Sequence, residues 1–135
     1  MLTLWVAFDE ANGLIAGYYT LSAASITYTP EANPQLAKGF RAYGTLPAFL
    51  IGRLAVDKNY RGQKLGTELV RDALLRCLQT AKEAVAAHAI LVDPYEEWLV
   101  RKLYKPLGFE PLIESEPFGR QLLLLASVAK GFGKK

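Results

Sequence analysis

One cysteine, Cys77, and one histidine, His88, are all that this 135-residue chain has of either residue. A lone cysteine makes no internal disulfide, so a disulfide-stapled secreted fold is excluded. His88 has no cysteine or second histidine at ligand spacing, and no metal centre is expected. Long apolar runs are also missing. Stretches such as Leu4 to Phe8 and Leu122 to Ala126 are strand-sized, far short of the roughly 20 residues a spanning helix needs. The start, Met1 to Trp5, has no basic segment ahead of an apolar stretch, so no export signal is expected and a reducing cytoplasm is the expected location. Charge of one sign is scarce too. The net +3 is a mild basic excess, compatible with a polyanionic ligand and equally with an ordinary solubilising surface.

What is present is a globular composition, 51% hydrophobic and 21% charged, in a length suited to a single domain. So apolar a small chain favours a buried sheet or a homodimer interface. Leu4, Val6 and Phe8 share one face of a first strand, Asp9 to Gly13 supplies a turn, and Leu14 to Ile26 is rich in aromatic and β-branched residues. That pattern predicts a hairpin. Thr27 to Leu46, with Pro30, Pro34 and Gly39, reads as a loop with room for a short helix around Gln35 to Arg41. Ala48 to Val56 is a nearly continuous apolar run, predicted as a central strand covered on both faces.

The strongest periodicity follows. Leu65, Leu69, Ala73, Cys77, Ala81 and Val85 recur every four residues, opposite Glu68, Arg71, Asp72, Arg76 and Lys82, which predicts an amphipathic helix packed on a sheet. Cys77 lies in the apolar stripe and reads as a core thiol. His88 to Val92 is a further buried strand. Asp93-Pro94-Tyr95-Glu96 predicts a second helix, with Asp93 as N-cap, Pro94 in first position and Glu96 closing a capping box, and Gly108 is its stop signal. Glu110 to Ser115 and Gln121 to Val128 read as two closing strands. The order implies an α+β (α/β) domain with a mixed sheet.

Chemistry is expected where Tyr60-Arg61-Gly62-Gln63-Lys64-Leu65-Gly66-Thr67 joins the central strand to the long helix. First-turn N–H groups of a helix lack internal partners and receive phosphate oxygens, and glycines let backbone approach a ligand. A tight strand-to-helix turn explains the same spacing equally well. No paired-carboxylate motif stands out, since Glu96 and Glu97 read as acids at a helix N-terminus. Trp5 and Trp98 read as core or interface anchors.

The run Arg53-Leu54-Ala55-Val56-Asp57, followed by Arg61-Gly62-Gln63-Lys64-Leu65-Gly66, resembles the acetyl-CoA loop of the GNAT acetyltransferase superfamily, whose pattern is Gln/Arg-x-x-Gly-x-Gly/Ala. Gly17-Tyr18-Tyr19-Thr20-Leu21-Ser22, Arg71-Asp72-Ala73-Leu74, Leu91-Val92-Asp93, and Leu103-Tyr104 ahead of Gly108-Phe109-Glu110-Pro111 are similar to the acetyltransferase toxins of toxin-antitoxin modules. The resemblance spans Gly17 to Pro111. It implies a GNAT-like, mostly antiparallel sheet with helices on both faces, splayed between Ala48 to Val56 and His88 to Val92. It also implies N-acetylation of the α-amine of aminoacyl-tRNA with acetyl-CoA, a block of translation, and neutralisation by a ribbon-helix-helix antitoxin. The whole of 1–135 is then one such domain, without the helical N-terminal segment usual in these toxins. A GNAT enzyme acting on a small amine or a protein N-terminus, and a non-catalytic module of the same fold, are the alternatives.

By the resemblance, Leu54, Ala55 and Val56 offer backbone groups to pantetheine, and Arg61, Gly62, Gln63, Lys64, Leu65, Gly66 and Thr67 hold the pyrophosphate. Lys64 stands where the pattern has its central glycine. Tyr104 matches the catalytic tyrosine. With a pKa near 10 against about 8.5 for a cysteine-like thiol, full proton transfer from it is uphill by roughly 2 kcal/mol, which makes it a hydrogen-bond donor to the leaving thiolate. Pro106 biases Lys105 away from helical geometry, so an early helix end that displaces Tyr104 is expected. An α-amine, with a pKa near 7.7–8.0, is neutral often enough at pH 7 to react without a dedicated base. Arg53 and Lys58 are assigned to the RNA substrate. Arg101, Lys102 and Lys105 extend that basic patch or form a solvated helix face.

Overall fold

The computed structural model describes residues 2–27, 45–83 and 87–132. Its sheet follows from the strand signals. β1 (Leu2–Asp9) and β2 (Leu14–Thr27) form the expected hairpin, with Trp5 opposite Tyr19 and Val6 opposite Tyr18. Trp5 and Ala7 pack against the core, while Leu2, Leu4, Val6 and Phe8 share the other face and are exposed. β3 (Thr45–Val56), β4 (Ala89–Val92), β5 (Glu110–Pro111) and β6 (Gln121–Leu124) complete six strands in the order β1-β2-β3-β4-β6-β5. Only β3 and β4 run parallel.

That pairing decides where a ligand can enter. β3 meets β4 from Ala48 opposite Ala89 to Ile51 opposite Val92, and there β4 ends. From Gly52 to Val56, β3 is paired on its β2 side alone among the described residues. The sheet therefore splays at the predicted place. A register shift between Tyr19 and Leu21 sets Thr20 against the Gly52–Arg53 step, where the Thr20 hydroxyl accepts from the Arg53 N–H at 2.9 Å. Such a bulge bends its strand and re-aims side chains. Nearby, Gly17 admits a close approach of β2 to β3, for a Cβ there would lie 2.7 Å from the Ala55 carbonyl oxygen.

α1 (Leu65–Glu83) is the expected amphipathic helix. Leu69, Val70, Ala73, Leu74 and Cys77 bury its apolar stripe against Tyr19, Ile51, Ile90 and Val92 of the sheet. Burial also pushes the Cys77 thiol up to about 12, so at neutral pH it is a protonated core group, as predicted. A smaller cluster of Ile26, Leu46, Ala48, Ala89, Leu91 and Leu122 forms the second core. β3 alternates buried Leu46 and Ala48 with exposed Thr45 and Pro47, and Gly52 and Arg53 are exposed beyond Ile51, so it is not covered on both faces along its length as expected. The helices described contribute to the first cluster, and the short helix expected at 35–41 falls outside the described residues.

Several boundaries differ from expectation: β3 begins at Thr45 rather than Ala48, and the strand expected from Glu110 to Ser115 is strand only at Glu110–Pro111. Leu125 to Val128 is not strand. It opens α3 (Leu125–Phe132), whose Leu125 and Val128 are buried one turn apart in the first core, so helical spacing wins over the apolar run. The second helix starts at Glu97, with Glu96 as its cap and no side-chain capping bond. Asp93 is not its N-cap, because Arg120 takes its carboxylate instead.

Candidate active site

The helical segment 97–107 places the tyrosine. It runs as a short α-helical turn, α2 (Glu97–Leu99), a π-turn (Val100–Tyr104) and a 3-10 turn (Lys105–Leu107). The wide turn is closed by the Lys105 N–H donating to the Val100 carbonyl. Pro106 then falls in the first turn of a new 3-10 piece, where its missing N–H costs nothing. The expected early stop is therefore corrected. Lys105 is helical at φ −59°, ψ −44°, and the helix ends at Gly108 with φ 104°. Tyr104 is 5% exposed. Its ring meets Phe109 edge-on at 5.5 Å, and the Phe109 N–H donates to the Tyr104 carbonyl at 3.2 Å. π-turns of this kind often mark functional positions.

Two cavities meet at the splay. The larger, about 430 Å³, lies between the N-terminus of α1 and segment 97–107. Of the residues expected to hold acetyl-CoA, Leu54, Val56, Arg61, Gly62, Lys64, Leu65, Gly66 and Thr67 line it. Ala55 and Gln63 do not. The first α-helical bond is Glu68 N–H to Lys64 carbonyl, which leaves the N–H groups of Leu65, Gly66 and Thr67 available at the cavity wall. Tyr60, Tyr95, Glu96, Trp98, Leu99, Lys102 and Leu103 complete the lining; sequence reading set Tyr60 in the loop and Lys102 in the basic patch, but gave Tyr95, Trp98 and Leu99 no role in a site. Trp98 is no core anchor. It is 53% exposed in this wall, with its ring N–H donating to Glu96. Tyr60 ties the loop to the hairpin by donating to Asp9 at 2.6 Å.

The smaller cavity, about 230 Å³, lies on the other side of the splay. Tyr18, Ile51, Gly52, Arg53, Leu54, Asp93, Tyr95 and Tyr104 line it. Leu54 and Tyr95 are common to both cavities. Tyr104 thus lines the smaller chamber and not the larger. Burial first, then the neighbouring Tyr95, pushes its hydroxyl up to about 12. Arg53 reaches this chamber, whereas Lys58 lines neither cavity and stands exposed in a 3-10 turn (Lys58–Tyr60). The basic patch is likewise divided: Lys102 faces the larger cavity, while Arg101 pairs with Glu97 at 3.4 Å and lies over Phe118. A third cavity, about 540 Å³, lies beside Trp5 and gathers Tyr19, Asp72 and Arg76 rather than the predicted site residues, Leu65 excepted.

Lys64 has φ 61°, the left-handed region, and is the only non-glycine with positive φ among the described residues. Here the family pattern has glycine. A side chain in this conformation costs roughly 1 kcal/mol. Lys64→Gly is expected to stabilise the fold by about that amount, seen as a higher denaturant midpoint at unchanged slope. A lower midpoint would contradict the strain.

Residues 2–111 match the acetyltransferase (GNAT) domain family. The chain belongs to the GNAT acetyltransferase family. Among its relatives are a tRNA-acetylating toxin of Mycobacterium tuberculosis, 31% identical over 84% of this chain and 64% of the relative, and a probable toxin TacT of Sinorhizobium fredii, 31% identical over 98% of this chain and 74% of the relative. The chain thus spans about two thirds to three quarters of these relatives. Among solved structures, AtaT complexed with acetyl-methionyl-tRNAfMet superposes with a TM-score of 0.81 at 27% identity, over 97% of this chain and 75% of that one. A mutant AtaT bound to acetyl-CoA and the C-terminus of the antitoxin AtaR gives a TM-score of 0.68 at 28% identity, over 89% and 65%. These neighbours share the mixed, mostly antiparallel sheet found here.

Proposed function

We propose that this chain is an acetyl-CoA-dependent N-acetyltransferase acting on the α-amine of aminoacyl-tRNA, and that it serves as the toxin of a toxin-antitoxin pair. The observation that carries this reading is the pair of cavities that share Leu54 and Tyr95 in their walls, with Tyr104 lining the smaller one. The residues of the larger one fit acetyl-CoA. Free N–H groups of Leu65 to Thr67, with Lys64 and Lys102 on the walls, suit a pyrophosphate, and the unpaired edge of Leu54 to Val56 suits the amides of pantetheine. Acetyl-CoA supplies the activated acyl group. The chain's own residues hold it, exclude water and place a hydroxyl at the splay.

The smaller cavity takes the acceptor, with Arg53 at its rim suited to a phosphate of the RNA end. A neutral α-amine reacts by forming the C–N bond as the C–S bond breaks, and the departing thiolate takes a proton. Tyr104 assists as a hydrogen-bond donor. With its hydroxyl near 12 and a cysteine-like thiol near 8.5, complete transfer is uphill by about 5 kcal/mol, so the thiolate's proton comes finally from solvent. A ribbon-helix-helix antitoxin as partner, a cytoplasmic location and a homodimer belong to the same proposal. The dimer draws support from the apolar strip of Leu2, Leu4, Val6 and Phe8 on the free edge strand β1, and a sedimentation mass of one chain would count against it. No described helix is long and apolar enough to cross a membrane.

The experiment is incubation of purified protein with labelled acetyl-CoA and bulk aminoacyl-tRNA. Label in the RNA fraction is the expected result. Transfer to simple amines alone would move the reading to a small-amine enzyme, and cofactor binding without any transfer would leave an inert module.

A further inference from the structure

Asp93 is the only acidic side chain, among the described residues, lining the cavity that Tyr104 opens into. It follows the last residue of β4, where the sheet splits. Its carboxylate is fixed from the side: Arg120, the residue before β6, donates from Nε at 2.6 Å and from Nη2 at 2.7 Å to the two oxygens. A bidentate pair uses one acceptor position on each oxygen, and a carboxylate has about four. The group remains half exposed, so it is free to accept further donors from the cavity. An α-amine with a pKa near 7.7–8.0 arrives mostly as an ammonium at pH 7.

We propose that Asp93 captures the α-ammonium of the acceptor in this cavity and sets it beside Tyr104, with Arg120 holding the carboxylate in place and tempering its pull. This inference rests on the aminoacyl-tRNA reading. Asp93 is a specificity residue here, neither base nor nucleophile. The ammonium loses one proton to solvent, the neutral nitrogen forms the amide bond as the thioester C–S bond breaks, and its second proton leaves to solvent while the thiolate is protonated. The other titratable or charged groups facing the amine are Tyr18 from β2, Arg53 from β3, and Tyr95 and Tyr104 around segment 97–107. Arg53 opposes the ammonium, which leaves Asp93 as its anchor.

The sign is testable. A carboxylate beside the bound amine stabilises its charged form and raises its pKa, so the acid limb of the kcat profile lies above the free-amine value. Asp93→Asn is expected to raise KM for aminoacyl-tRNA about tenfold and to move that limb down by about one pH unit, the two being the same linkage. Arg120→Gln breaks the same ion pair but leaves the carboxylate uncompensated, so KM falls and the limb moves up. Steady-state acetylation of aminoacyl-tRNA between pH 5.5 and 9, with melting curves to confirm folding, measures all three proteins. If both substitutions shift KM in one direction with the limb unmoved, or if neither changes anything, Asp93 is only a clamp between β4 and β6 and the inference is overturned. Absence of transfer by the unsubstituted protein would instead overturn the aminoacyl-tRNA reading, and this inference with it.

Discussion

Tyr104→Phe is expected to lower turnover by roughly 10²–10⁴-fold, the range for loss of a general-acid type of assistance, while acetyl-CoA affinity hardly changes. The substitution keeps the ring, its edge-on contact with Phe109 and its buried position, and removes one hydroxyl from the wall of the smaller cavity. Because that hydroxyl is held near 12, its contribution is a hydrogen bond to developing negative charge, and its loss falls on kcat rather than on binding. In cells without the antitoxin, the same substitution should relieve growth arrest. Equal turnover in the two proteins would remove Tyr104 from the chemistry.

The second large effect concerns the cofactor cavity. Acetyl-CoA at 100 times its dissociation constant should stabilise the protein by about 2.7 kcal/mol, visible as a rise in melting temperature. Lys64 and Lys102 approach this cavity from opposite walls. Reversing both charges, Lys64→Glu with Lys102→Glu, replaces two attractions to phosphate by two repulsions. Each lost charge-assisted contact is worth of order 1 kcal/mol at an exposed wall, so affinity should fall about 10²-fold or more, and the stabilisation at the same ligand concentration should drop from about 2.7 to about 0.4 kcal/mol or less. Adding salt should weaken the unsubstituted protein's binding as well. An unaltered shift in the double variant would place the phosphates elsewhere.

Elements carried by local periodicity are legible in the sequence itself. The four-residue spacing from Leu65 to Ala81 encodes α1, and the apolar runs encode β3 and β4, whereas the splay between them follows from the family resemblance alone. The Arg61 to Thr67 loop is legible because a glycine-containing turn entering a helix has its own local chemistry. What escapes such reading depends on residues far apart in sequence. Asp93 carries every local mark of a helix cap, yet its partner Arg120 is 27 positions away and arrives only when β6 pairs with β4. Lys102, Tyr95 and Trp98 join the larger cavity because the stretch from Tyr95 to Leu107 lies across from the start of α1, which no spacing encodes. Pro106 misleads for a different reason. Its clash is real for a regular α-helix, and the chain avoids it by changing hydrogen-bond pattern at Tyr104.

The central claim is that the two chambers bring a thioester and an α-amine together at Tyr104, and the most direct measurement is the chemical location of transferred label. Purified protein would be incubated with labelled acetyl-CoA and bulk charged tRNA, the RNA digested to its terminal nucleoside, and the aminoacyl fragment weighed by mass spectrometry. The predicted result is an aminoacyl-adenosine heavier by one acetyl group, with the label on the α-nitrogen and none on uncharged tRNA. Unmodified aminoacyl-adenosine from protein shown to bind acetyl-CoA would contradict it.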